Sequence, residues 1–282
     1  MAVRVSVITT VRDGERSLPD LFDALDAQTL SRDAFEVVVI DNASRDRTAE
    51  LARDRGAIVV AEPVPGRARA RNRGVAASAA PLLAFTDADC RPRGDWLERL
   101  TGGLASNPLV AGRVVLTTSP QRNDVERLDA LWRFRAGRGD WAPTANLGMH
   151  RAAFDAIDGF DASFRHIGED VDLCLRARAA GFPLTWCSEA IVEHPAETEL
   201  RPVLRRAFEQ AYSLEDLRRR HEFDSGEEWR HPMPLLRGSY ALDRFGATEA
   251  DRRLLTLARL EYAGRMAGSA WAHLRRRLVR SN

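Results

Sequence analysis

The chain has 282 residues, 44% of them hydrophobic and 29% charged, and a net charge of +1. That length holds one large α/β domain, or a domain of about 200 residues with an appendage, and the composition is that of a globular chain with a proper core. All 42 basic residues are arginine, which excludes Schiff-base and P-loop lysine chemistry.

The opening "MAVRVSVITT" runs straight into a strand pattern, Val3 to Thr10, without the apolar core of a signal peptide. A cytoplasmic location is therefore expected. No stretch nears the roughly 20 unbroken apolar residues of a membrane span. "SLPDLFDALDAQT" predicts a helix, with a Ser17-to-Asp20 capping spacing and Leu21, Phe22 and Leu25 on one face. "FEVVVIDNAS" is a second buried strand, "DRTAELARDRG" a short helix closed by Gly56, and "AIVVAE" a third strand. "GRARARNRGVAASAA" is a helix and "PLLAFTDAD" the fourth strand. Such alternation predicts right-handed crossovers and a mostly parallel sheet covered on both faces. After Pro92 come a helix in "GDWLERLTGGL" and a strand in "LVAGRVVLTT"; residues 120–143 show no clear period. A strand–helix pair over 143–161 follows, then a helix and two short strands over 168–195. Beyond Pro195 the β signal vanishes, leaving amphipathic helices at 201–221 and 249–280 joined through 225–247. Cys90, Cys174 and Cys187 form no CxxC pair, so neither a thiol zinc site nor a disulfide framework is indicated. Residues 1–200 hold 25 arginines against 30 acids, a balance of −5, and residues 201–282 hold 17 against 11, a balance of +6. The first balance argues against nucleic acid as a partner.

In an open parallel sheet, ligands sit beyond the carboxyl ends of the strands. Asp41, Asp87 and Asp89 all lie there. Asp87 and Asp89, two apart, project to one side and would repel unless a cation sat between them; Mg²⁺ or Mn²⁺ suits such oxygen ligands. A polar turn is the plainer alternative, and the position after a buried strand favours the cation. Asp41 reads as a turn residue or as a carboxylate for a ribose or base. On the "GRARARNRG" helix Arg67 and Arg71 share a face, either solvated or directed at a diphosphate. In "GEDVDL" the acids suit a helix start, or one of them acts as a general base. His194 reads as a loop histidine, or as a third metal ligand or phosphate contact.

Together these motifs resemble family 2 of the glycosyltransferases with the GT-A fold, from Val3 to about Pro195. "VVVIDNASRDRT" is similar to "VVDDGSxDxT", "GRARARNRG" to "GxxxARNxG", and "FTDAD" to the DxD metal motif. "TANLGMHRAAFDAIDGFD" resembles the acceptor-side "NxxxRRxxFxxxGGFD", and "GEDVDLCLRARAAGF" the "ED" helix. The resemblance implies an α/β GT-A catalytic domain at 1–198, its nucleotide-binding half at 1–92 and its acceptor-binding half at 93–198. A helical extension would occupy 199–282. It implies an inverting, Mn²⁺- or Mg²⁺-dependent transfer of one sugar from a nucleotide-sugar donor to an acceptor hydroxyl. Asp170 would be the catalytic base. Asp89 would be the metal ligand, with Asp87 and His194 near the ion. Thr9, Val11, Asp41, Arg71, Asp87 and Ala88 would line the nucleotide-sugar site, and Asn146, Glu169 and Trp141 the acceptor site. Asn42 departs from the family's second Asp, which bears on base selectivity, and the processive QxxRW signature is absent. A haloacid-dehalogenase-like phosphatase also uses DxD, but after its first strand and with a lysine; a non-catalytic sugar-nucleotide-binding protein is the third reading. The last helix carries an apolar stripe followed by Arg275, Arg276 and Arg277. Packing on the catalytic domain, a homodimer contact, or peripheral attachment to an anionic membrane all suit it.

Overall fold

The computed structural model describes residues 3–120, 123–132, 139–164, 167–221 and 252–280. They form two compact units, one of residues 1–117 and 136–195, the other of 118–135 and 196–282.

The first unit is built on an eight-stranded mixed sheet. Its first four strands are β1 (Val5–Val11), β2 (Phe35–Asp41), β3 (Ile58–Ala61) and β4 (Leu82–Phe85), followed by the two-residue β5 (Arg91–Pro92). The others are β6 (Leu109–Thr117), β7 (Leu147–His150) and β8 (Leu184–Pro195), in the order β3-β2-β1-β4-β7-β6-β8-β5. The β1–β2, β1–β4, β2–β3 and β6–β8 pairs are parallel. β7 runs antiparallel to both β4 and β6, and β5 to β8. Mostly parallel pairing thus holds, with the reversals confined to the later strands. Connecting helices are α1 (Leu18–Asp26), α2 (Thr48–Asp54), α3 (Arg67–Ala76) and α4 (Trp96–Leu104), with α6 (Arg151–Ala156) and α7 (Glu169–Ala179) further along.

Alternation along the strands decides which helix goes where. Ile8, Ile40, Phe85 and Leu147 share a core with Ala68 and Ala70 of α3, Phe154 of α6 and Leu173 of α7. Gly74 of α3 sits so close to the sheet that an added Cβ would lie 2.4 Å from Ile40. α4 packs on the opposite face, where Gly148 of β7 leaves room for Leu100. Each leucine so buried contributes about 1.5–3 kcal/mol. The Ser17 spacing makes no side-chain cap; its hydroxyl donates instead to the Gly14 carbonyl at 3.4 Å. The two short strands expected before Pro195 are one element. Its pairing with β6 jumps from Cys187 to Ile191 at the Gly112/Arg113 irregularity, which accounts for the interrupted pattern in the sequence.

The second unit contains α5 (Asp124–Trp132), α8 (Leu200–His221) and α9 (Arg252–Arg280). α5 falls in the stretch without apparent period. Two acids fix it there. Glu126 accepts from the backbone of Ser119 and Asn123, and the fully buried Asp129 accepts from the Glu197 amide and pairs with Arg206. α8 and α9 approach backbone to backbone: a Cβ on Gly268 would lie 2.2 Å from the Phe208 carbonyl oxygen. The 225–247 connection lies outside the described residues. No helix among the described residues is long and apolar enough to cross a membrane.

Candidate active site

From β1 the chain's strands spread to opposite sides, β2 to one and β4 to the other, which opens a crevice beyond their carboxyl ends. Val11 ends β1 in register with Asp41 at the end of β2. The Asp41 carboxylate accepts the Ser44 amide at 2.9 Å, the Ser44 hydroxyl accepts the Asp13 amide, and the Asp13 carboxylate accepts the Arg45 amide. These bonds tie the loops after β1 and β2 together and leave Asp41 half-buried at the rim. Asn42 is fully engaged: Nδ2 donates to the Glu62 and Val64 carbonyls at 3.1 and 3.0 Å, and Oδ1 accepts the Gly66 amide. The departure from the family's second Asp is therefore structural, since a carboxylate could not donate to two carbonyls. Of the other expected donor-site residues, Thr9 is fully buried in β1, its hydroxyl without a hydrogen-bond partner among the described residues; Val11 and Ala88 are also buried.

Past β4, Asp87 meets Arg71. This arginine is 3% exposed and uses both arms, Nη1 to Glu169 at 2.7 Å and Nη2 to Asp87 at 3.2 Å. One guanidinium thus joins α3, the end of β4 and the start of α7. Its neighbour Asn72 reinforces the joint, donating to the Phe160 carbonyl at 2.8 Å and accepting the Phe160 amide at 2.9 Å. The Phe160 ring packs edge-on against Phe85, 5.4 Å between centroids, and lies 5.7 Å from the Arg71 guanidinium carbon. Left-handed backbone at Asp158, Gly159 and Gly168 turns the chain around these contacts.

Asp170 follows Glu169 in the first turn of α7. Its carboxyl is pushed from an ordinary 3.8 up to about 7, first by burial and then by the negative charge of Glu169. Arg71, the Val171 amide at 2.9 Å and Arg67 all pull the other way without overcoming those two effects. Arg67, the first residue of α3, is thereby part of the same electrostatic cluster. A carboxyl balanced near neutrality can accept a proton from a hydroxyl and release it again.

Asp89 is separate from that cluster in its bonding. Its Oδ1 lies 3.4 Å from Nε2 of His194, which is 2% exposed, while Asp89 itself reaches solvent. The two-residue β5 explains the meeting, because pairing Arg91 with Glu193 lays the 89–90 segment beside 194. Nδ1 of His194 faces the Pro195 carbonyl at 2.8 Å, an acceptor that fixes a proton on Nδ1 and turns the lone pair of Nε2 toward the carboxylate. Two electron-rich atoms at that separation call for a cation or a proton between them. Cys90 adds its buried thiol, with one ligand atom from each of the three residues within 4.8 Å of the others. Burial, then the charges of Asp87 and Asp89, push that thiol well above its ordinary range. The Asp89–His194 donor set fits a divalent cation such as Mn²⁺.

Asn146 is fully buried. It accepts from the Trp96 indole at 2.8 Å and donates to the Arg113 and Ala190 carbonyls, in space that a side chain on Gly112 would fill. Trp141 is half-buried and packs against the core cluster that carries Leu173 and Cys174 of α7. Cys90 was not singled out as a site residue from the sequence, and Arg67 only through its face. Arg67 shares a helical face with Arg71, a signal already present in the spacing; Cys90 becomes visible only through the β5–β8 pairing.

A sheet with its crevice at the β1/β4 divide, a DxD pair at the rim and an acidic helix start joined to it through arginine defines a GT-A glycosyltransferase. The glycosyl transferase family 2 model matches residues 6–156, and the chain belongs to that family. It is similar to the glycosyltransferase AglE of Haloferax volcanii, 32% identical over 206 residues, covering 68% of this chain and 67% of that one. It is also similar to the pre-mycofactocin glycosyltransferase of Mycobacterium tuberculosis, 36% identical over 157 residues, 51% of this chain but only 33% of the relative's length. In fold it matches the mannosyltransferase PcManGT of Pyrobaculum calidifontis, solved with GDP-Man and Mn²⁺. The TM-score is 0.67 at 19% identity, over 96% of this chain and 87% of that one. Family membership sets the phosphatase reading aside.

Proposed function

We propose that the protein transfers a single sugar, with inversion, from a nucleoside-diphosphate sugar to an acceptor hydroxyl, with Asp170 as general base. The observation that carries this reading is the Asp170 carboxyl, raised to about 7 beside an arginine that also holds Asp87 of the rim. A hydroxyl is a poor nucleophile near neutral pH, so removal of its proton must accompany attack. Deprotonated Asp170 accepts that proton as the new C–O bond forms on the face opposite the departing diphosphate, whose sugar passes through an oxocarbenium-like state.

Asp41, beside Val11, holds the base or ribose, with Thr9 and Ala88 shaping the floor. Arg71 and Arg67, near the start of α3, offer positive charge to the donor's phosphates. Glu169 orients Arg71 and borders the acceptor side with Trp141, in a wall that Asn146 braces. Asp89 and His194, with Asp87 alongside, would hold Mn²⁺ or Mg²⁺. Such an ion, when bound, supplies Lewis-acid charge to the leaving diphosphate. The PcManGT complex with GDP-Man and Mn²⁺ supports a donor and ion of this kind on this fold.

A thermal-shift screen of UDP-, GDP- and dTDP-sugars, with and without Mn²⁺, tests the reading. Stabilisation by one nucleotide class that depends on metal is expected, followed by turnover with that donor. Stabilisation without turnover under any acceptor would leave a sugar-nucleotide-binding protein instead.

A further inference from the structure

The outward face of α9 has no part in the chemistry above. The helix packs on α8 through Ala258, Gly268 and Ala272, all buried or without room for a side chain. Around the other side Leu260, Met266, Trp271 and Leu274 are 45, 49, 49 and 48% exposed, four of the six exposed large apolar side chains among the described residues. With the exposed alanines between them, they recur at three- and four-residue spacing and so make one stripe along the helix.

Charge selects what covers this stripe. The 29 residues of α9 hold eight arginines and one acid, Glu261, which is buried and bonded to Arg265. Arg253, Arg259 and Arg275 are exposed along the helix that carries the stripe. A second copy would bring arginine against arginine with no exposed acid on this helix to receive it. A surface of anionic headgroups over hydrocarbon answers both features, and no window of α9 among the described residues is apolar enough to cross the bilayer. We propose that α9 lies lengthwise on an anionic lipid surface, the four apolar side chains entering the acyl boundary and the arginines meeting lipid phosphates.

The test uses the full chain with phosphatidylcholine vesicles, with and without phosphatidylglycerol, and Leu260→Glu combined with Trp271→Glu. Co-sedimentation is expected only with phosphatidylglycerol, weakened at least about tenfold by the double variant and by raising salt, which shortens the reach of the arginines. Both side chains are exposed, so circular dichroism and the response to a nucleotide-sugar in solution should be unchanged; the result is thus separable from the transfer reaction. Should the double variant lose helicity, Leu274→Asn serves in its place. Failure to sediment with phosphatidylglycerol, or equal sedimentation of the variants, overturns the proposal. So does a concentration-dependent dimer, seen by light scattering, that the same variants dissolve.

Discussion

Replacing Asp170 with Asn keeps the size and hydrogen-bonding outline of the side chain and removes its charge. In the folded protein that carboxyl titrates near 7 rather than 3.8. The charged form is therefore less favourable in the fold than in the unfolded chain. Below about pH 4 both states hold the proton and there is no penalty. Between about 4 and 7 the unfolded chain has released its proton while the folded one retains it, so rising pH erodes stability, and above 7 the loss is complete. The gap corresponds to a ceiling of roughly 4 kcal/mol, and partial access to solvent lowers the usable figure to about 2 kcal/mol. Asp170→Asn escapes this cost. Relative to the native protein, the variant should gain about 1–1.5 kcal/mol between pH 5 and pH 8, a few degrees in a melting experiment.

Transfer should behave oppositely. The native rate at limiting substrate should rise through an apparent pKa near 7, tenfold per pH unit on the acid side, because only the deprotonated carboxylate can act as base. The variant should lose about 10²–10⁴-fold in rate and show no such limb, while a donor sugar still raises its melting temperature. Paired melting curves at pH 5 and 8 and a pH–rate profile give both readouts. A variant that tracks the native protein's stability at both pH values, or that retains most of its rate, would falsify the assignment of Asp170.

Four further outcomes follow from the geometry. Arg71→Met leaves Glu169 buried and unpaired and should cost about 3–5 kcal/mol in denaturant, with Glu169→Gln in the same chain recovering much of it; a loss under about 1 kcal/mol would contradict the buried pair. Asn42→Asp restores the family's residue but removes two donors to carbonyls, and should lower stability by about 1–3 kcal/mol without tightening donor binding; an unchanged melting temperature would speak against the clamp. Asp89→Asn or His194→Ala should abolish the Mn²⁺-dependent part of donor stabilisation while the metal-free response persists, and a metal-dependent shift of native size would move the ion elsewhere. Gly268→Ala gains about 1 kcal/mol of helix propensity, yet its Cβ would sit 2.2 Å from the Phe208 carbonyl oxygen; a net loss of about 1–2 kcal/mol is expected, and net stabilisation would refute the tight α8–α9 contact.

What could be read from the sequence depended on how local the signal was. β1 to β4 and their helices carry their own periodicity, so each appeared in place. β5 is two residues long and exists because Arg91 and Pro92 meet Glu193 and Val192, a pairing with no local trace. α5 was hidden for a related reason: beside the apolar contacts of Val125 and Leu128, its buried groups include Glu126 and Asp129, acids held by the Ser119 and Glu197 amides and Arg206. The same limit applies to the site. Asp170 and Arg71 stand in motifs whose residue types announce them. That Asn146 is enclosed by Trp96, Arg113 and Ala190 depends on the space left by Gly112, which no motif records.

The DxD pair adds a detail that residue type and spacing do not carry. From the spacing, Asp87 and Asp89 face one cation together. In the structure each has a different companion, Arg71 for Asp87 and His194 for Asp89. The division matters electrostatically. Arg71 compensates Asp87 and Glu169 together, so those two acids depend on a charge the protein supplies itself. Asp89 reaches solvent, with His194 Nε2 3.4 Å from its Oδ1. On the proposed reading, a cation at this edge would meet the Asp89 carboxylate and the His194 ring nitrogen, while Arg71 holds Asp87 alongside and tempers the charge around Asp170. The linkage through Arg71 thereby couples the rim of β4 to the start of α7. Weakening Arg71 should therefore raise the apparent pKa of the base, because it is the buried arginine among the described residues that favours the charged form of Asp170.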